Sequence, residues 1–478
     1  MSQISTPTVA VIGAGIAGLA SARHLLDQAH ASGKQIQVMI LEKANRAGGN
    51  IRTERDGGYV CEWGPEGFLD NTPETLELAR RVGLGEELIR ANADAAHRFI
   101  LRAGKLREVP LSPPAFLFSD LLPLGPRLRV LMEPFVPPKR DDADESVFDF
   151  AARRIGCDAA AHLVDAMVSG VYAGDARQIS LRSAFPKMYA MERQYGGLVK
   201  AMIARQREAR RTGQAIGGPS GPRGTLTSFG AGMERLVEAL AQSFDPGVVR
   251  LSCGVKALER DGATWKLNLD NGEMIEAQAV VFSTPAPVTA ELVAIASPDL
   301  SQQLARIPFA SIAVLGLGYR REQVAHSLNG FGYLVPHCER QQTLGVLWSS
   351  STFANRAPNG HVLLRAMIGG ATNPQAVHWS EEQLLDVCRR EINPLLGISG
   401  EPAWHRVFRY RRGIAQYVVG HEDLLNKTRQ TLRDLPGIFL TGTSYQGIAV
   451  NCTCQAAPRL ASAVIEALNH GAPSERIF

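Results

Sequence analysis

Gly13, Gly15 and Gly18 fall in the run "TVAVIGAGIAGLASARHLLD", where an apolar strand, Val9 to Ile12, passes into a turn and then an amphipathic helix. That spacing serves phosphate chemistry. The first glycine permits a tight turn, the second lets a pyrophosphate approach the backbone, and the third lets helix and strand pack closely. Ala14, Ile16 and Ala17 complete the turn. Unpaired N–H groups and the helix dipole favour negative charge at such a helix start. A second apolar strand, "IQVMILEK", ends in Glu42, whose carboxylate can accept both ribose hydroxyls of a dinucleotide. Glycine spacing alone is weak evidence, and the strand–helix–strand–acid order supplies what it lacks.

Near the other end, "LPGIFLTGTSYQGIAVNCTCQAAPRLASAVIEAL" reads as a buried strand, Ile438 to Thr441, then a turn of small residues and a final helix. It offers a second helix N-terminus to the same ligand. Cys452 and Cys454 read as small residues of that packed turn, because CxC is a poor geometry for zinc or a disulfide. Between these ends, Val248 to Val288 alternates apolar and polar residues through three short runs divided by Asp261-Gly262 and Asn271-Gly272. This predicts a β-meander whose last apolar strand, "AVVFSTP", returns to a parallel sheet.

The chain that must position these turns has 478 residues, 45% hydrophobic and 21% charged, enough for two or three domains. Lys plus Arg exceed Asp plus Glu by only 51 to 47, which argues for no nucleic-acid partner. Seven scattered cysteines without CxxC spacing point to reduced thiols in a cytoplasmic chain. The histidines show no metal-ligand spacing, so no metal is expected. No secretory signal and no run of eighteen apolar residues is visible. The stretch "PLSPPAFLFSDLLPLGPRLRVLMEPFVPP" supports two readings. It is either a proline-rich buried crossing or a surface that dips into a bilayer, with Arg127 and Arg129 near head groups.

After Glu42 the sequence continues "KANRAGGNIRT", which resembles the double-glycine segment of the FAD-dependent amine oxidase and phytoene desaturase superfamily. Many members carry Arg directly after the glycine pair, where this chain has Asn50. The resemblance implies FAD, held by Lys43, Gly48, Gly49, Asn50 and Arg52 beside the first turn. It adds the backbone of Gly64, Pro65, Glu66 and Gly67, then Val255 at the adenine. From the C-terminal segment come Thr443, Ile448, Ala449 and Val450 against the flavin. More narrowly, "HRFILRAGKLREVP", "GVYAGDARQISLRSAFP", "GFGYLVP" and "SYQGIAVN" resemble the protoporphyrinogen oxidase family, oxygen-dependent flavoenzymes of tetrapyrrole synthesis. That likeness implies a porphyrinogen substrate and O2. Arg98 would bind a propionate, Gly170 and Val171 would line the slot, Phe331, Gly332 and Leu334 would clamp the rings, and Met367 would form the other wall. No general base is nominated, because the cofactor carries the electron chemistry.

The expected class is α/β. A discontinuous Rossmann-type FAD domain (1–90, 224–290 and 434–478) is interrupted by a helical insertion (91–212), a candidate for membrane association, and a mixed-sheet substrate domain (291–433). The run "RRTGQAIGGPSGPRG" reads as a mobile surface loop. Protoporphyrinogen IX and coproporphyrinogen III both stay open as substrates, as does the oligomeric state, a homodimer included. An amine oxidase would need an aromatic cage, which Tyr445 alone does not make, and a carotenoid desaturase would need a long lipid tunnel. A binding scaffold like the GDP dissociation inhibitors would have no use for Glu42, Gly48-Gly49 and the C-terminal turn together.

Overall fold

The glycine turn begins where the strand Thr8–Ile12 ends, in the middle of a five-stranded parallel sheet. Its order is Val249–Arg250, Gln37–Leu41, Thr8–Ile12, Ala279–Phe282, Ile438–Leu440. The structure is a computed structural model that describes residues 6–110, 112–212 and 224–470. Ile12 lies beside Leu41 and Phe282, and Phe282 beside Leu440. The residues that follow these strands, Gly13, Glu42, Ser283 and Thr441, therefore emerge together at one edge of the sheet, the usual place for a ligand in an open α/β sheet.

Alternation along the strands gives the sheet two covered faces. Val9, Val11, Ile40 and Val281 pack with the helices Ile16–Ala31, Glu234–Gln242 and Val450–His470. Ala10, Ile12, Val280 and Phe282 pack against the expected meander, the antiparallel strands Val255–Asp261, Thr264–Leu269 and Met274–Ala277. This second core also takes in the helices Ala286–Val293, Pro298–Ala305 and His421–Arg433. The boundary drawn at 290 thus passes through a packed helix, and the one at 434 leaves a helix of this core on the wrong side.

The mixed sheet has seven strands, ordered Trp404–Ala415, Phe309–Arg320, His361–Gly369, Thr343–Leu347, Gly332–Leu334, Arg98–Arg102, Lys105–Glu108. Its last two strands come from the segment that the sequence reading assigned to the helical insertion. Their signal is weak for a physical reason. Ile100 and Leu101 are both buried, so the run lacks the polar–apolar alternation of a half-exposed strand. The hairpin turns on Ala103-Gly104, both at positive φ, in place of the more familiar Asn-Gly or Asp-Gly.

The rest of that insertion is helical, from Pro113–Phe118 to Leu198–Thr212. The proline-rich stretch proves to be neither wholly buried nor wholly exposed. Leu121 and Leu122 are buried, and Phe116 packs against Ile100, Leu121 and Ala166. Phe118 is 85% exposed and Phe135 77%. Arg127 and Arg129, which one of the two readings puts near lipid head groups, bond carbonyl oxygens of the lobe itself. Arg127 donates to Leu117 and Ser119, and Arg129 to Arg153 and Arg154 at the end of the helix Val147–Ile155. Short helical segments leave such carbonyls unpaired, and a nearby guanidinium satisfies them. The loop expected at 210–224 lies largely outside the described residues, as does the end of the 434–478 segment. Among the described residues no helix is long and apolar enough to cross a membrane, and all seven cysteines are free.

Candidate cofactor and substrate site

The three glycines of the first turn have separate tasks. Gly13, at φ +101°, donates to the Leu41 carbonyl at 2.8 Å, and the Ser283 hydroxyl donates to its own carbonyl at 2.9 Å. A Cβ at Gly18 would lie 2.1 Å from that same Gly13 oxygen, so the helix can pack here only on glycine. A Cβ at Gly15 would meet nothing nearer than the Gly49 Cα at 4.0 Å, and would project into open space. The helix Ile16–Ala31 starts at Gly15 without a side-chain cap, leaving its first N–H groups to a ligand. Glu42 is held at the rim, its two oxygens accepting from the N–H of Ala14 and of Ala44, each at 2.8 Å.

Gly15 bridges to Gly48, and Arg46 closes the double-glycine loop by donating to the carbonyls of Ala47, Gly49 and Ile51. From these turns a cavity of about 640 Å³ runs past Gly64, Pro65 and Gly67 to the C-terminal turn and the inner face of the mixed sheet. Its lining includes Gly13, Gly15, Ile16, Ala17, Glu42, Gly48, Gly49, Asn50, Thr443, Ile448, Ala449 and Val450. Gly170, Val171 and Met367 line it too. The size falls within the ~300–1,000 Å³ of ligand pockets. Open space at Gly15, an uncapped helix start and a fixed acid suit a dinucleotide, and the small residues Gly442, Thr443 and Ala449 in the lining leave room for a flat ring system.

Other expected residues lie outside the lining. Ala14 and Gly18 act through the backbone packing of the turn. Lys43 is exposed, and Val255 packs on the meander core two residues from Cys253, whose N–H bonds the Glu42 carbonyl. Arg52 lies 5.0 Å over the Phe408 ring and pairs with Glu54 at 3.9 Å. Glu66 turns away from the cavity to pair with Arg365 at 3.0 Å. On the substrate side, Leu334 stands directly behind Gly170, where a Cβ would be 2.5 Å from its Cδ2. The exposed Arg98 sets its guanidinium over the half-buried Phe331 ring at 5.4 Å, with Gly332 beside Arg98 in the parallel register.

The structure adds residues that the motifs did not single out: Trp63, Ser283, Thr284, Ile312, Arg365, Tyr410 and Ile414 all line the cavity. Arg365 had a sequence signal, as the one charge inside "HVLLRAMIGG". Tyr417 had none. Its hydroxyl donates to the Thr443 carbonyl at 2.7 Å and accepts from the Gly447 N–H at 2.8 Å, closing the C-terminal turn from outside. Gln446 accepts from Gly442 N–H and the Thr441 hydroxyl, and Ser444 accepts from Ala286 N–H. His421 stacks on Tyr417 at 4.3 Å, and burial pushes its pKa down to about 4, keeping the ring neutral. Cys452 and Cys454 sit in the final helix, not in the turn before it; Cys454 joins the core and burial raises its thiol to about 12. Among the described residues, the cluster His162, Cys338 and Glu339 has a metal-ligand arrangement, but none of its members lines the cavity.

Residues 16–465 match the family of flavin-containing amine oxidoreductases, and the chain belongs to that family. It is an FAD-dependent oxidoreductase. Among curated relatives, a chloroplastic protoporphyrinogen oxidase of Oryza sativa subsp. japonica is 31% identical over 481 residues, covering 96% of this chain and 88% of the relative. A coproporphyrinogen III oxidase of Bacillus subtilis (strain 168) is 26% identical over 449 residues, covering 92% and 94%. A crystal structure from Exiguobacterium sp. 255-15, provisionally described as a protoporphyrinogen oxidase, superposes with a TM-score of 0.81 at 25% identity, covering 96% of this chain and 99% of that one.

Proposed function

We propose that this enzyme oxidises protoporphyrinogen IX to protoporphyrin IX, with O2 as the electron acceptor. The observation that carries this reading is the composition of the cavity wall. Past the nucleotide turns it is formed by Gly170, Val171, Ile312, Val314, Met367 and Ile414, with Arg365 as its one cation among the described residues. Such a wall suits an apolar macrocycle whose two carboxylates reach outward, and it offers little to the two extra carboxylates of coproporphyrinogen III. Bound FAD would accept a hydride from a bridging methylene at N5. The residues Gly13 to Ala17, Glu42, Gly48 to Asn50, Gly64, Pro65 and Thr443 to Val450 would hold the cofactor, while the apolar wall positions the macrocycle and excludes water. Three such rounds, with loss of pyrrole N–H protons, remove six electrons and six hydrogens and convert three O2 to three H2O2.

Arg98 makes no ion pair among the described residues and is the candidate for a propionate. Each porphyrinogen should be added anaerobically while bleaching of the flavin band is followed, then air admitted and the porphyrin and peroxide identified. Protoporphyrinogen IX should bleach the flavin at lower concentration, and the reverse order would assign the chain to coproporphyrinogen III. Arg98→Ala should raise KM ~10–100-fold with little change in kcat, the cost of one charge-assisted contact.

The helical lobe supports peripheral docking on a lipid surface. Phe118, Leu124, Leu128, Leu131, Met132 and Phe135 are exposed along consecutive short helices, and Met202 and Ile203 are exposed on the helix that packs beside Phe135. Phe118→Ser with Phe135→Ser should reduce flotation with anionic vesicles and leave melting unchanged, whereas Phe116→Ser should lower the melting temperature. Equal flotation of parent and double variant rejects the docking face.

A further inference from the structure

Arg365 is a buried cation whose hydrogen bonds are only partly used. It is 5% exposed on the strand His361–Gly369. Its Nη1 donates to the carbonyls of Glu62 at 3.0 Å and Gly64 at 2.9 Å, and lies 3.0 Å from the Glu66 carboxylate. Nε is buried without a partner, and Nη2 makes no hydrogen bond within the protein among the described residues. A guanidinium carries five N–H donors, and leaving buried ones unpaired is costly unless a ligand takes them. Arg365 lines the cavity and Glu66 does not, so the pair is a dipole with its positive end toward the ligand. The same Nη1 pins the carbonyl of Gly64, which is itself in the cavity wall.

We propose that Arg365 supplies the positive charge that stabilises the negative charge FAD gains on accepting a hydride. A hydride brings two electrons and one proton, so a neutral oxidised flavin becomes more negative by one unit. A fixed cation in a water-poor site favours that product without reorganisation at the moment of transfer. The inference rests on FAD as cofactor and not on which porphyrinogen is oxidised.

Sulfite tests it without substrate. Sulfite adds to N5 of an oxidised flavin; an S–N bond forms, the electron pair enters the ring system, and the adduct's charge reports the local field. Arg365→Gln leaves Glu66 uncompensated and should weaken sulfite binding at least tenfold. Glu66→Gln leaves the guanidinium uncompensated and should strengthen it several-fold. The two-electron potential should move in the same opposed sense, tenfold corresponding to about 30 mV. Arg365→Lys, which keeps the charge, should remain within severalfold of the parent. Should Arg365→Gln fail to retain FAD, the Glu66→Gln arm decides alone, and an unchanged or weakened sulfite affinity there overturns the proposal. Shifts of the same sign in both variants, or flavin-replete variants with parental sulfite affinity, would reduce Arg365 to a pin of the Gly64 turn. Raised KM for porphyrinogen with parental sulfite affinity would assign it to a substrate carboxylate and overturn the proposal equally.

Discussion

The two turns that line the cavity are built by opposite means. From Gly13 to Gly18 the backbone packs on backbone, and missing side chains make this possible: one Cβ would strike the Gly13 oxygen and another would enter the ligand space. From Thr441 to Ala449 the shape is imposed by side chains, those of Gln446 and Ser444 within the turn and of Tyr417 from 26 residues before Thr443. A glycine-built turn is brittle, because any side chain changes it. A braced turn is tunable, since each hydrogen bond can be removed singly. It is also linked to whatever perturbs its braces.

The sharpest way to break the contrast lies within the first turn. Gly18→Val places carbon 2.1 Å from a backbone oxygen that has nowhere to move, and should yield no folded protein, well beyond the ~1–3 kcal/mol of ordinary overpacking. Gly15→Val should fold with a parental circular dichroism spectrum yet purify colourless, because its side chain occupies the pyrophosphate space. A fully flavinated Gly15→Val protein would refute the phosphate role, and equal misfolding of both variants would erase the distinction between packing and ligand glycines.

The braced turn predicts a pH dependence. His421 has a native pKa of about 4 against 6.5 for the free side chain. Its neutral form is the native one, so its contribution is complete above pH 6.5 and is lost as pH falls toward 4. The 2.5-unit gap corresponds to about 3 kcal/mol at the acid end. Chemical denaturation between pH 7 and 4 should show that loss in the parent and a flatter profile in His421→Phe, which keeps a ring against Tyr417. Parallel profiles would remove His421 from the linkage.

The smallest expected effect is that of Tyr417→Phe. It orphans the Gly447 N–H and the Thr443 carbonyl and should cost ~1–3 kcal/mol. Because the turn it closes lines the cavity, apparent FAD affinity should fall by roughly tenfold or more. Titration of the apoprotein with FAD measures this, and an unchanged affinity would show the turn to be rigid without its brace.

How much of the site could be read in advance follows the same division. The Rossmann unit, Glu42, the double glycine, the meander and the C-terminal strand–turn–helix are local patterns, each signalled within a few dozen residues, and the structure brings all of them to one sheet edge except the meander, which covers a sheet face. The pairing of Arg98–Arg102 with Gly332–Leu334 joins segments more than two hundred residues apart. The inward turn of Phe116 and the outward turn of Phe118, two positions apart, depend on whether Ala166 and Leu121 stand against them.

By itself the sequence determined the glycine turn, the fixed acid and the C-terminal turn that line the cavity, because glycine geometry, strand termini and helix N-termini are properties of consecutive residues. Only the tertiary structure decided which partners distant side chains find: the half-bonded Arg365 in the cavity wall, the Tyr417 hydroxyl closing Thr443 on Gly447, and the arginines of the helical lobe spent on its own carbonyls. Those contacts join residues far apart in the chain, and they form where the packing of entire sheets and helices happens to bring a donor within reach of an acceptor, a quantity no local run of residues encodes.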